Sequence, residues 1–326
     1  MLLSKRVRGS SAALILLIFS LSFPALAGPE KSKKKKETPK GTPVLWREPD
    51  DIGSRNLLLG PGGAAMRPNL RRIRFIKEEK GGYSKKFRIS DGSGREWVAK
   101  VSKEAQSETA AVRLLWAVGY MTEVNYLVPR LRIPGKGIFE NVRLEARPKS
   151  IERLDEWKWE KNPFVGTKQF QGLKVMMLLF NNWDIKDSNN QMLLIRGGRG
   201  ESNQLHYIIS DLGATFGKTG SLPIIWRITR SRNNPEDYAN SKFIDDVKNG
   251  MVYFHYGGKK QDVFEDITIN QARWIGGWLS RLSDQQLRDA FRAANYEPDE
   301  IRLLVEAVRS RVDELVQLPA QTGDGR

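Results

Sequence analysis

Residues 72–101 alternate apolar and charged side chains in steps of two. The segment 72–78 (RIRFIKE) predicts a strand with Ile73, Phe75 and Lys77 on one face. The segment 85–90 (KKFRIS) repeats the pattern through Phe87 and Ile89, and 95–101 (REWVAKV) follows a turn at Asp91, Gly92, Ser93 and Gly94. The period then lengthens. Glu108, Ala111, Leu115 and Val118 share one face at helical spacing, with Leu114 beside them, and Gly119 ends the helix. A second hairpin follows, 126–133 against 137–146, turned at Pro134 and Gly135. Arg147 and Pro148 link it to the rest of the chain.

From Thr167 onward the helical period dominates. Phe170, Leu173, Met177 and Phe180 form a stripe that runs into the polar stretch 181–190 (NNWDIKDSNN). Two short apolar runs, 191–195 and 206–209, flank a Gly-rich turn, and the second ends in Ser210, Asp211, Leu212 and Gly213. The last sixty residues read as helices. Ser283 and Gln286 form a capping box ahead of Leu287, Ala290, Phe291 and Ala294. Pro298 opens a final helix whose Ile301, Leu304, Val305, Val308, Val312 and Leu315 face one way. Strands first and helices after predict an α+β protein in two lobes, a strand-rich N-lobe over about 51–147 and a helix-rich C-lobe over about 148–318.

The first fifty residues follow other rules. Lys5, Arg6 and Arg8 precede an apolar run at 12–23, and Ala25-Leu26-Ala27 supplies the small residues of a cleavage site. Residues 1–27 are therefore expected to be an export signal, with an uncleaved anchor helix as the alternative. This places the protein in the periplasm or outside the cell. Residues 28–50 read as a basic, disordered linker around the KSKKKK run from Lys31 to Lys36. That run could touch an anionic surface or serve as a solvated spacer. No aromatic-interleaved basic motif singles out nucleic acid. Residues 51–326 remain as the folded domain.

The formal charge of +16 falls to +13 once the signal is removed. The absence of cysteine excludes disulfides, thiolate metal sites and a cysteine-linked lipid anchor. The two histidines, His206 and His255, do not lie at metal-ligand spacing. Neither a Gly-x-Ser-x-Gly elbow nor a Gly-x-x-x-x-Gly-Lys loop is present. Trp157 and Trp159 could form a substrate platform or simply pack, and Trp274 and Trp278, four apart, read as core.

The chemistry lies in four pieces. Lys100 ends a strand, and Glu108 faces inward from the next helix, where a carboxylate needs a partner. A Lys held by a Glu can present a fixed positive charge to a nucleotide's phosphates. In Asp184-Ile185-Lys186-Asp187-Ser188-Asn189, Asp184 can take a proton from an attacking hydroxyl. Lys186 can neutralise charge on a moving phosphoryl group, and Asn189 can offer an amide oxygen to magnesium. Asp211, followed by Leu212 and Gly213, suits a magnesium ligand that bridges phosphate oxygens.

The order strand Lys, helix Glu, Asp-x-Lys-x-x-Asn, hairpin and Asp-x-Gly resembles the protein-kinase-like fold over most of residues 70–320. The resemblance implies two lobes with ATP and Mg in the cleft. It also implies Lys100 on the phosphates, Glu108 as its pair, Asp184 as base, and Asn189 and Asp211 on metal. Gly81 and Gly82 would belong to the loop over the nucleotide, with fewer glycines than usual. Asn182 and Trp183 stand where His-Arg usually precedes the Asp, no Ala-Pro-Glu is present, and Glu108 lies unusually close to Lys100. These departures are similar to the atypical branch, the HipA-like, phosphoinositide-kinase-like and secretory-pathway kinases. The acceptor is open: a hydroxyl on protein, lipid or sugar. The alternative is a pseudokinase, or a nucleotide- or polyanion-binding module without turnover.

Overall fold

Residues 39–80, 84–220 and 229–319 are described by the structure, a computed structural model. The chain divides into two units, 1–37 and 38–326, and every feature below belongs to the second. The expected export signal, the run from Lys31 to Lys36, and Gly81 and Gly82 lie outside the described residues. No helix among the described residues is long and apolar enough to cross a membrane.

Strand β1 (Thr42–Val44) corrects the reading of 28–50 as linker. It pairs in parallel with β9 (Gln204–Ile209), with Thr42 opposite Gln204 and Val44 opposite His206. Trp46, just beyond it, wedges against Trp274 and Trp278 with ring centroids at 5.2 and 5.7 Å. Its Nε1 donates to the Val118 carbonyl at 2.7 Å. The signal for order was an aromatic anchor, and the neighbouring basic composition obscured it.

The alternating segments form the N-lobe sheet. Strands β2 (Arg74–Glu79), β3 (Lys85–Ser90), β4 (Glu96–Val101), β5 (Asn125–Ile133) and β6 (Gly137–Ala146) lie in the order β2-β3-β4-β6-β5, antiparallel throughout. One face buries Phe87, Ile89, Trp97, Ala99, Val142 and Leu144. Because side chains alternate, the other face carries Lys86, Lys100 and Arg143 side by side across β3, β4 and β6. Strand β2 departs from the expected pattern. A register shift between Phe75 and Lys77 sets Lys77 opposite Arg88, so it does not share the face of Phe75.

Helix α1 (Ala105–Ala117) bridges β4 and β5. Its Ala111 and Leu115 belong to the same core as the C-lobe helices. The C-lobe begins with β7 (Ile151–Arg153) and α2 (Lys168–Leu179), whose N-cap Thr167 accepts from the Phe170 N–H. Strand β8 (Asn190–Ile195) and β9 complete a four-stranded sheet, β1-β9-β8-β7. Next come the short helix α3 (Pro235–Ala239) and the hairpin of β10 (Ile244–Lys248) and β11 (Met251–Phe254), which the sequence pattern did not reveal. Helices α4 (Ile269–Leu279), α5 (Asp284–Ala293) and α6 (Pro298–Val316) close the lobe, and Ser283 and Gln286 form the expected capping box. The architecture is α+β, strand-rich first and helix-rich after. Trp157 and Trp159 are buried edge to face at 5.1 Å, and so they pack instead of forming an exposed platform.

Candidate active site

Lys100 sits one residue from the end of β4, and Glu108 in the first turn of α1. The Lys100 Nζ lies 2.9 Å from Glu108 Oε2, 3.2 Å from Glu104 and 3.4 Å from Asp211 Oδ1. Lys100 and Glu108 are both buried. Arg143, opposite Lys100 on β6, places Nη2 3.0 Å from the second Glu108 oxygen and 2.8 Å from Glu145. Burial pulls the Lys100 ammonium down, but Glu108 and Asp211 outweigh it and hold its pKa above the ordinary value. Burial pushes the Glu108 carboxyl up against the opposing pull of Arg143 and Lys100. Desolvating so many charges is tolerable only because each has a close opposite partner.

The second half of the site is the loop after α2. Asp184 receives Lys186 Nζ at 2.9 Å on Oδ2 and Lys259 Nζ at 2.5 Å on Oδ1. Burial raises the Asp184 pKa, yet hydrogen bonds from Lys259 and Lys186 prevail, and the net shift is below the ordinary carboxylate value. Asn189 closes the loop. Its Nδ2 donates to the Asp184 carbonyl at 2.8 Å, while its own carbonyl accepts from Ser210 N at 2.7 Å and Asp211 N at 3.2 Å. One residue thus ties the Asp184 loop to the end of β9. With Nδ2 committed to Asp184, the amide Oδ1 is the acceptor left for a cation.

Asp211 Oδ1 accepts the Gly213 N–H at 3.1 Å, and 42% of its side chain is exposed, so the carboxylate can be reached. Burial opposes its ionisation, but Lys100 and the Gly213 amide hold its pKa below the ordinary value. Asn189 and Asp211 offer only oxygen donors, which suits magnesium. No group of three or more metal-ligating side chains stands among the described residues. Magnesium shared with phosphate oxygens and water does not require one.

Lys100, Glu108 and Asp211 therefore meet directly, as do Asp184, Lys186 and Asn189, and Asn189 joins the two groups. Glu104, Arg143 and Lys259 were missed. Glu104 stands four residues after Lys100, a spacing the sequence displayed. Arg143 could have been read from alternation in its strand. Lys259 comes from a loop 75 residues beyond Asp184, and nothing in the sequence links them.

A cavity of about 620 Å³ is lined among others by Glu96, Ala146, Pro148, Ile151 and Leu193. Thr122 also lines it, and its buried hydroxyl has no partner. Glu96 and Lys100 share one strand, and Leu193 and Asn189 one continuous segment. Along β4, Glu96 lies four residues, about 13 Å, from Lys100.

No protein-family model matches the chain, and no curated protein matches it. Among solved structures, it is similar to a proinflammatory kinase, CtkA, of Helicobacter pylori. Identity is 13% and the TM-score 0.45, over 76% of this chain and 96% of that one. It is also similar to the Rio2 kinase of Chaetomium thermophilum, solved as an ADP/Mg2+-phosphoaspartate complex. Identity there is 10% and the TM-score 0.30, over 74% of this chain and 72% of that one. Likeness at this level speaks to neither substrate nor reaction.

Proposed function

We propose that the chain is a kinase-like phosphotransferase that moves a phosphoryl group from ATP to a hydroxyl. The observation that carries this reading is the meeting of Lys100, Glu108 and Asp211 in one cluster, tied through Asn189 to the loop that presents Asp184. Phosphoryl transfer from a nucleotide needs a fixed cation for phosphates, oxygen ligands for magnesium and a nearby base.

In this reading the acceptor hydroxyl gives its proton to Asp184. The acceptor oxygen forms a bond to the γ-phosphorus as the bond to the ADP oxygen breaks. Lys100, fixed by Glu108, meets phosphate charge, and Lys186 offsets charge on the moving group. Asn189 and Asp211 would hold magnesium, which when bound neutralises phosphate charge. The cavity beside Glu96 and Leu193 is the space for the nucleotide's base. Export to the periplasm or beyond is proposed on residues 1–27.

The test is magnesium-dependent binding of a fluorescent ATP analogue. Lys100→Met should weaken it at least tenfold. Equal binding by Lys100→Met, or binding indifferent to magnesium, counts against the proposal.

A further inference from the structure

Arg232 is fixed by its backbone on both sides. Ser231 N donates to the Lys218 carbonyl at 3.0 Å, and Asn233 N to the Thr215 carbonyl at 2.9 Å. Trp183 Nε1 donates to the Ser231 carbonyl at 2.7 Å. The segment that carries Arg232 is thus laced to the chain leaving Asp211 and to the residue before Asp184.

The side chain reaches the lysine cluster. Arg232 Nη1 pairs with Glu104 Oε1. The other oxygen of Glu104 lies 3.2 Å from Lys100 Nζ and accepts from Ser84 Oγ at 3.2 Å. Lys100 and Arg232 are therefore one carboxylate apart. That carboxylate lies against the turn after Asp211, where a Cβ on Gly213 would stand 2.7 Å from Glu104 Cβ and 2.9 Å from its Oε2. The guanidinium also lies 4.8 Å from the Trp183 ring centroid, which steadies it. Arg232 thus touches an element from each half of the site, Glu104 beside Lys100 and Trp183 beside Asp184.

The donors that Arg232 leaves unused define its chemistry. Glu104 takes Nη1 alone. Nε and Nη2, whose N–H groups run parallel along one edge of the guanidinium, have no hydrogen-bond partner among the described residues. The side chain is 35% exposed and borders a cavity of about 360 Å³ that Ser84 and Ser102 also line. A planar edge with two donors matches two oxygens of one phosphoryl group, which an ammonium does not. The moving phosphoryl group spreads its charge over three equatorial oxygens. Lys100 is held by Glu108 and Asp211, and Lys186 by Asp184, and neither offers such an edge.

We propose that Arg232 is the cation for the terminal phosphoryl group of the nucleotide, with Nη1 kept on Glu104 and with Nε and Nη2 on phosphoryl oxygens. This rests on the phosphotransferase reading above.

The test compares ATP with ADP, which differ only in that phosphoryl group. The full chain is titrated with each nucleotide in the presence of magnesium. The unmodified chain should bind ATP at least about tenfold more tightly than ADP. Arg232→Met should bring that ratio to within about twofold by weakening ATP binding. Arg232→Lys keeps a cation for Glu104 but loses the two-donor edge. It should lower the ratio at least about threefold, and it carries the test if the Met variant does not fold. A ratio unchanged in a folded variant overturns the inference, and so does equal binding of ATP and ADP by the unmodified chain. Equal weakening of both nucleotides is such an unchanged ratio, and it would reduce Arg232 to a support for Glu104. If the unmodified chain binds neither nucleotide with magnesium, the phosphotransferase reading fails and this inference with it. If it binds both and the ratio does not respond to Arg232, this inference alone fails.

Discussion

Glu108 gives one carboxylate oxygen to Lys100 at 2.9 Å and the other to Arg143 at 3.0 Å. Arg143 is buried, and it reaches Glu145 as well. The lysine that would meet phosphate is thus set by a carboxylate that is itself clamped. Replacing Arg143 with Met would leave Glu108 and Glu145 buried without that cation. The expected cost is about 3–5 kcal/mol of stability, read from urea unfolding. A change below about 1 kcal/mol would mean that the clamp contributes nothing.

Asp184 acts as a base only when ionised, and burial opposes that state while Lys259 and Lys186 favour it. Its pKa lies below the ordinary carboxylate value, so the acid limb of the pH–rate profile should fall below the usual carboxylate range. Lys259→Met removes one of the two stabilising cations, and the limb should move to higher pH. The same sign holds for stability. The contribution of Asp184 is present above its unfolded pKa and is lost as pH falls through the lower folded one. Asp184→Asn should reduce transfer by about 10²–10⁴-fold at neutral pH.

His206 supplies a second pH handle, at a distance from the chemistry. Burial, helped by Arg47, depresses its pKa to about 4, and its Nε2 lies 3.0 Å from Gln204 Oε1. The unfolded chain therefore binds a proton first as pH falls. Stability should decline between about pH 6.5 and 4. His206→Gln should flatten that decline in a series of melts at different pH. An unchanged slope would show that the imidazole is not the titrating group.

Trp46 tests the boundary of the domain. Its packing on Trp274 and Trp278 makes residues 42–46 part of the fold. Trp46→Ala should cost about 3 kcal/mol, as large aromatic truncations do. Deletion through residue 50 should lower the melting temperature further. Equal melting of the full chain and the deletion would return this stretch to the status of a linker.

The sequence displayed what is local. Strands β3 and β6 were legible because alternation is a property of neighbours. The capping box at Ser283 and the helices after it were legible for the same reason. Lys100, Glu108, Asp184, Asn189 and Asp211 could be named because each sits at a fixed offset from a turn or an element end. What was missed depends on distant pairing. Strand β1 is only three residues long and gains its place from β9, about 160 residues later. The β10–β11 hairpin lacks clean alternation, and Ile244 and Asp246 flank a bulge. Lys259 arrives at Asp184 through a loop whose docking only the tertiary fold defines. Lys77 changed faces through a register shift, which has no signature in the hydrophobic pattern.

The most direct measurement follows labelled phosphate from ATP, with magnesium, onto the chain itself and onto added serine peptides. Asp184→Asn and Asp211→Asn are run beside the unmodified protein. Expected is transfer by the unmodified chain that both variants lose by at least a hundredfold while remaining folded. Transfer that survives in both variants, or a folded chain that shows neither magnesium-dependent ATP binding nor any transfer, would contradict the phosphotransferase assignment.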